Sequence, residues 1–254
     1  MTTRPAQTET LVFPDAHTMA REVAHWVTER AREAVRERGT FYWALSGGST
    51  PRPVYSHLAE PPLRDTVDWS RVHVFFGDER FVPPTSSESN YGMARESLLS
   101  HIPVPERSVY RVETESVTPE RAAELYEETL RRAFNVSAGV IPMFDVILLG
   151  LGPDGHTASL FPGSEGLSER DKLIVANYVE SMKTWRISFT YPLINAARRV
   201  SFLVQGSDKA ERVSEVMSGK SDLPASGIHP ADGKLLWFLD ERAASGLNAR
   251  PKEV

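Results

Sequence analysis

The feature that most constrains this chain is a short apolar run, Val146 to Leu149 with Phe144 just before it, that stops abruptly at Gly150-Leu151-Gly152-Pro153-Asp154-Gly155-His156. A strand without polar alternation must be covered on both faces, and in a run this short that fits the interior of a parallel α/β sheet. Such sheets hold their ligands outside the carboxyl ends of the strands. The residues here suit that place. Glycines 150, 152 and 155 allow the backbone to turn and approach a ligand, Asp154 offers an acceptor, and His156 brings an imidazole, the side-chain type that titrates nearest neutrality. That pair can move a proton without a metal.

The same glycines spell G-x-G-x-x-G, the dinucleotide fingerprint, with Asp171 or Glu180 as the later acidic residue. Two prolines argue against it. Pro153 removes an N–H from the loop that would cradle a pyrophosphate, and Pro162 stops any helix begun at Thr157 after about one and a half turns. A second false friend, Gly219-Lys220-Ser221, looks like the end of a nucleotide-binding loop. Ser214 stands where its first glycine belongs, and the segment follows a helix pattern instead of a strand.

A chain of 254 residues is long enough to bury a substantial core, and a single α/β domain over residues 10–244 is expected. Residues 1–9 and 245–254 read as a loose polar N-terminus and a polar tail. The net charge of −5 disfavours nucleic acid and anionic membranes as partners, so an anionic substrate must be met by a few local cations. With no cysteine, disulfides and thiolate chemistry are excluded, which is compatible with a reducing cytoplasm. The first ten residues lack a signal-peptide core, and no apolar run approaches the roughly 20 residues of a membrane span. The cytoplasm is the expected compartment. The histidines outside the loop are scattered without metal-ligand spacing, so neither a metal nor another cofactor is expected. The oligomeric state is not readable, although a monomer is compatible with the pattern.

In chain order, Leu11 to Phe13 predicts a short strand, with Asp15 capping a helix whose apolar stripe runs from Met19 to Val35 and stops at Gly39. Phe41 to Leu45 predicts a buried strand that ends in Ser46-Gly47-Gly48-Ser49-Thr50-Pro51. There Gly47 and Gly48 free the backbone, Ser49 or Thr50 can cap the next helix, and Pro51 suits its first turn. A helix N-terminus of that kind attracts phosphate. Val72 to Phe76 is the next strand, followed by Asp78-Glu79-Arg80, where Arg80 is either a bidentate phosphate clamp or a surface partner of Asp78 or Glu79. Asn90 is a candidate helix cap.

Thr118-Pro119-Glu120 starts a scaffold helix leading into the central strand. After the His156 loop, Leu173 to Val179 and Trp185 to Thr190 predict a meander at the sheet edge, with Arg186 opening its second strand. Val200 to Val204 is a further strand and leads through Gln205 to Lys209 into a helix. A lysine in a first helical turn opposes the helix dipole, which points to an anion near Lys209. Leu235 to Leu239 is the last strand, followed by a short helix over 240–244.

Taken together, ALSGGSTP (44–51), FFGDERFVP (75–83), SNYGMARESLL (89–99), DVILLGLGPDGHTASLFPGS (145–164), RISFTYPLINAARRVSFLV (186–204) and GSDKA (206–210) resemble the 6-phosphogluconolactonases. The likeness covers roughly residues 11–244. It implies a doubly wound, mostly parallel, Rossmann-like α/β sheet with helices on both faces and a small additional β meander. This fold is shared with the glucosamine-6-phosphate deaminases. The deaminases continue their Asp-Gly-His segment differently from Thr157-Ala158-Ser159-Leu160-Phe161 and carry tyrosine at the position of Arg80, so the resemblance favours the lactonase branch. By that resemblance, Gly47, Gly48, Ser49, Thr50, Arg80 and Lys209 contact phosphate, with Arg186, Asp78 and Asn90 as further contacts. His156 is the acid/base and Asp154 its neighbour.

The chemistry implied is the opening of 6-phospho-D-glucono-1,5-lactone to 6-phospho-D-gluconate, in the oxidative branch of the pentose phosphate pathway. Water attacks C1, and the ring oxygen leaves with a proton. One histidine can serve both proton steps, for about 10² to 10⁴-fold acceleration. A loop N–H can meet the oxyanion, phosphate bound away from C1 orients the ring, and no G-x-S-x-G nucleophile is present. Asp154 can hold either the imidazole or sugar hydroxyls. Two rivals stay open on this fold: a sugar-phosphate deaminase or isomerase, and a non-catalytic sugar-phosphate sensor, for which the first ten residues leave no room for a DNA-binding segment.

Overall fold

The computed structural model describes residues 7–219 and 221–247. Among the described residues, nine strands and eight α-helices run in the order β1 (Gln7–Phe13), α1 (Ala16–Arg38), β2 (Phe41–Leu45), α2 (Arg52–Leu58), α3 (Leu63–Thr66), β3 (Val72–Phe76), β4 (Asp78–Arg80), α4 (Asn90–Ala94), α5 (Pro119–Phe134), β5 (Val146–Leu149), β6 (Ile174–Val179), β7 (Thr184–Phe189), α6 (Tyr191–Asn195), β8 (Arg199–Val204), α7 (Ala210–Met217), β9 (Lys234–Asp240) and α8 (Glu241–Ala244). Six strands make a parallel sheet in the order β1-β9-β8-β5-β2-β3. From β2 the chain moves outward to β3, then returns to β5 and moves the other way to β8 and β9. The order therefore reverses between β2 and β5. In a doubly wound sheet the crevice at that reversal is where ligands bind.

Alternation along the strands divides the core into two layers. Phe41, Trp43 and Leu45 of β2 and Val146 and Leu148 of β5 pack on one face with Met19, Val23 and Val27 of α1, Val54 and Tyr55 of α2, and Leu63 of α3. Ala44, Ile147, Leu149, Phe202 and Trp237 face the other way, onto Tyr126 and Leu130 of α5, Ile194 of α6 and Val213 of α7. The unbroken apolar run of β5 thus has cover on both sides, and all four of its residues are buried. Replacing one such buried leucine by alanine costs about 2–5 kcal/mol.

Helix α1 begins and ends as its sequence dictates. The Asp15 side chain accepts from Thr18 N at 2.7 Å, and Gly39 closes the helix in the left-handed region. Thr118 caps α5 in the same way, and Asp240 caps α8.

Several expectations are corrected. The first strand spans 7–13 instead of 11–13, and its polar start pairs with Lys234–Leu236. An edge strand needs only ladder hydrogen bonds from its backbone, so polar side chains do not prevent pairing there. The expected small additional meander of β6 and β7 is present, but it stands apart from the main sheet and gains a third strand. It forms a second, three-stranded sheet in the order β4-β7-β6, to which Asp78-Glu79-Arg80 contributes the outer strand. The N-terminal stretch 1–6, the tail 248–254 and Lys220 of the rejected nucleotide-loop pattern lie outside the described residues.

Candidate active site

A cavity of about 330 Å³ opens at the reversal of strand order, within the range of small-molecule sites. It is built by the loops after β2 and β5, by one face of β4 and β7, and by the turn before α7. Gly47, Gly48, Ser49, Thr50, Asp78, Arg80, Asn90, His156, Arg186 and Lys209 all line it. Of the residues expected to touch substrate or take part in the chemistry, Asp154 is the one outside the lining, as is Gly155 among the loop glycines.

The loop after β5 is closed by its own hydrogen bonds: Gly152 N donates to His156 O at 2.8 Å, and Thr157 Oγ1 donates to Gly150 O at 2.9 Å. No helix follows. Residues 157–160 form a bridged turn, a shape with no phosphate-facing helix start for a dinucleotide. The three glycines are not equivalent. Gly155 adopts φ +79°, and Gly152 is required because a Cβ there would stand 2.0 Å from His156 Nδ1. Gly150 has neither constraint, since a Cβ would meet nothing nearer than Ser46 Oγ at 3.9 Å. Gly150 nevertheless lines the cavity, as expected of a residue at which the backbone approaches a ligand.

His156 is fixed from three sides. Its ring lies over Gly152 and stacks on Phe161 with centroids 4.1 Å apart, while Nδ1 is 2.5 Å from Asp154 Oδ1. An ionised carboxylate only accepts, so this contact puts the ring proton on Nδ1 and leaves the Nε2 lone pair free. Asp154 also accepts from the His156 backbone N–H. Burial pushes against ionisation of Asp154, but the hydrogen bonds and charge of His156 outweigh it and hold the carboxyl below the usual aspartate range. The loop is braced from behind by Arg212 of α7, whose Nε donates to Pro153 O at 3.1 Å, and by Ala225 N, which donates to Gly155 O at 3.0 Å.

On β4, alternation sends Asp78 and Arg80 toward the cavity and Glu79 into the protein. Neither carboxylate pairs with Arg80. Asp78 accepts from Ser159 Oγ at 2.6 Å and from Asn90 Nδ2 at 3.3 Å. Glu79, 2% exposed, accepts from the backbone N–H groups of Arg80, Asn90 and Tyr91 and from Ser89 Oγ. Burial raises its carboxyl, and the three backbone donors oppose that by favouring the ionised form. Arg80 itself donates to the Glu88 carbonyl at 2.6 Å, which leaves its charge unneutralised.

Directly across the β4–β7 ladder from Arg80 stands Arg186. Like charges placed opposite one another cost stability unless an anion bridges them. Burial, followed by the charge of Arg80, lowers the Arg186 pKa. Among the described residues neither arginine forms an ion pair. Lys209 precedes α7 in a 3-10 turn, with its side chain 20% exposed and its nearest carboxylate, Asp208, at 3.7 Å.

The loop after β2 departs from expectation in one respect. Pro51, not Ser49 or Thr50, stands at the cap of α2, and no side chain caps the helix. Tyr55 anchors the start of this loop instead: its hydroxyl accepts from Ser46 N and donates to Ser46 O. Burial pushes that phenol up, so it stays protonated. Gly47 is required by packing, because a Cβ would fall 1.7 Å from Asn90 Oδ1. Asn90 does not cap α4; Ser89 does, accepting from Gly92 N at 3.0 Å. The Asn90 amide reaches the Asp78 carbonyl instead, and its buried Oδ1 has no protein donor.

Sequence reasoning missed the roles of Ser159, Phe161 and Glu79, and did not select Gln205, which lines the cavity at the end of β8. The rule that ligands lie at strand ends would have found Gln205. Among the described residues no group of three or more His, Cys, Asp or Glu is placed to hold a metal ion, and no helix is long and apolar enough to cross a membrane.

Residues 14–237 match the family model described as glucosamine-6-phosphate isomerases/6-phosphogluconolactonase. The chain is 44% identical over 228 residues to a 6-phosphogluconolactonase of Synechocystis sp., a match covering 89% of this chain and 91% of the relative. In three dimensions it is similar to the 6-phosphogluconolactonase of Trypanosoma cruzi, with a TM-score of 0.86, 30% identity and coverage of 95% and 100% of the two chains. A monomeric glucosamine-6-phosphate deaminase shares the fold alone, at a TM-score of 0.78 and 17% identity, over 94% of this chain and 99% of that one.

Proposed function

The chain belongs to the glucosamine-6-phosphate isomerase/6-phosphogluconolactonase family, and from that membership we propose that its cavity hydrolyses 6-phospho-D-glucono-1,5-lactone to 6-phospho-D-gluconate, a reaction of the pentose phosphate pathway. The observation that carries this reading is the two-ended cavity: an oriented imidazole on the β5 loop, and at the other end Arg80 and Arg186 on β4 and β7, neither in an ion pair among the described residues, with Lys209 before α7, whose contact to Asp208 is 3.7 Å long. A sugar phosphate spans such a site. Its phosphate sits between Arg80 and Arg186, whose mutual repulsion the dianion relieves, with Lys209 and the 47–50 loop around it.

At the other end, His156 Nε2 takes a proton from the attacking water. The Nδ1 proton stays with the Asp154 contact, and the carboxylate stabilises the imidazolium that forms. When the tetrahedral intermediate collapses, the ring C1–O bond breaks and Nε2 returns the proton to the departing oxygen. Asp154 is a positioning residue in this scheme, because it touches the imidazole and lies outside the cavity lining. Asp78 and Asn90, which also line the cavity, are assigned to the sugar hydroxyls.

The lactonase reading is favoured over the deaminase by the lactonase relatives' much higher identity. We assign the enzyme to the cytoplasm, in keeping with its lack of cysteine; cell fractionation tests that. The function itself is tested by proton release from fresh 6-phosphogluconolactone, with an enzyme-free control, beside the unphosphorylated lactone. Acceleration confined to the phosphorylated lactone is expected. Equal acceleration of both, or none of either, rejects the reading, and ammonia release from glucosamine 6-phosphate would put the deaminase in its place.

A further inference from the structure

We propose that Met182 is an oxidative modification site, and that its sulfoxide occupies Arg186 and weakens substrate binding. Met182 ends the 3-10 turn Glu180–Met182 at the tip of the β6–β7 hairpin and lines the cavity. It is 50% exposed, and Arg186 Nη2 lies 3.3 Å from its sulfur. Among the described methionines no other combines these properties. Met19 and Met93 are buried, and Met143, exposed at 42%, does not line the cavity; nor does the partly buried Met217.

The thioether is a weak acceptor and leaves Arg186 available to a stronger one. Oxidation changes that. With hydrogen peroxide as the oxidant, a sulfur lone pair attacks one peroxide oxygen and the O–O bond breaks. The sulfur loses two electrons to form S=O, and the departing hydroxide takes the remaining proton to leave as water. The product places a strongly polar oxygen beside a guanidinium that has no carboxylate partner. A charge-assisted hydrogen bond between them competes with phosphate for the same donors. Half exposure gives peroxide access, and a turn at a hairpin tip can absorb the added atom without disturbing the core.

This inference rests on the assignment of Arg186 to phosphate, so the experiment separates the two. Wild-type enzyme, Met182→Leu and Arg186→Ala are each compared with and without graded peroxide, with sulfoxide at every methionine measured by peptide mass spectrometry. In the wild type, KM is expected to rise about three- to tenfold in proportion to Met182 sulfoxide, as for weakening one charge-assisted contact, with kcat moving less. Methionine sulfoxide reductase should restore it. Met182→Leu should keep its own untreated KM while Met143 oxidises normally. Untreated Arg186→Ala should already show a raised KM.

A raised KM in Arg186→Ala together with an unaltered KM in wild type whose Met182 is fully oxidised overturns the proposal alone. An unaltered KM in Arg186→Ala overturns the phosphate assignment and the proposal with it. Equal losses in wild type and Met182→Leu, or a Met182 that resists peroxide while Met143 oxidises, also overturn it.

Discussion

Replacing Gly152 by alanine should disable the imidazole while sparing the fold. The residue does not sit in the left-handed region, so its backbone tolerates a side chain. The obstruction is His156 itself: an added Cβ would lie 2.0 Å from Nδ1, 2.2 Å from Cε1 and 2.7 Å from Cγ. To reach ordinary contact at 3.4 Å the ring must retreat by about 1.4 Å, and it then gives up the 2.5 Å contact with Asp154, the stacking on Phe161, or both. Misplacing a reacting group by about 1 Å can cost about 10²-fold. That equals about 2.7 kcal/mol of activation free energy, and the loss is bounded by the 10² to 10⁴ of the whole acid–base role. The assay is initial proton release at saturating lactone, corrected for spontaneous opening. Gly150→Ala is the comparison, because its Cβ would meet nothing within 3.9 Å except Ser46 Oγ and should leave most of kcat in place. Near-normal kcat in Gly152→Ala, with the protein folded, would refute the claim that the ring must occupy its observed place.

Three further outcomes follow from the site. Arg80→Ala should raise KM about tenfold or more with a smaller change in kcat, since one charge-assisted phosphate contact is worth about 1.5–3 kcal/mol; an unchanged KM would move the clamp elsewhere. Asp154 has its folded pKa depressed, so its ionic hold on His156 is present above the ordinary aspartate range and is lost only as pH falls through the lowered value. The wild-type rate should therefore show no limb from Asp154 near neutrality, and Asp154→Asn should lower kcat about 10 to 10²-fold across the neutral range and shift the pH profile; an unchanged profile would contradict the positioning role. Glu79→Gln should destabilise the fold by about 1–3 kcal/mol in a urea titration, because the amide nitrogen would face buried donors that a carboxylate now satisfies; unchanged stability would show that the segment relaxes around it.

The central strands and the two glycine loops were legible because their signals are local. Apolar runs mark β2 and β5, and glycine-rich punctuation marks the carboxyl end of each. What brings those loops together is the reversal of strand order between β2 and β5, a property of the whole topology that no single stretch encodes. The second sheet was harder to foresee. Asp78-Glu79-Arg80 is too short and too charged to read as a strand, and it becomes one only by pairing with Ser188, Ile187 and Arg186, more than a hundred residues away. The exchange of Asn90 for Ser89 as the cap has a similar cause: both residues cap well in isolation, and the amide of Asn90 is claimed by Asp78 from another element. Lys209, expected in the first turn of a helix, instead ends the 3-10 turn before α7, where it lines the cavity.

The claim that one imidazole performs the chemistry while separate cations hold the substrate is tested most directly with His156→Ala. Calorimetry of the product, 6-phosphogluconate, reads binding, and stopped-flow proton release reads turnover. The account predicts an affinity within a few-fold of wild type and a kcat lower by about 10² to 10⁴-fold. Near-normal turnover in that variant would contradict it, as would loss of product binding equal to the loss of rate.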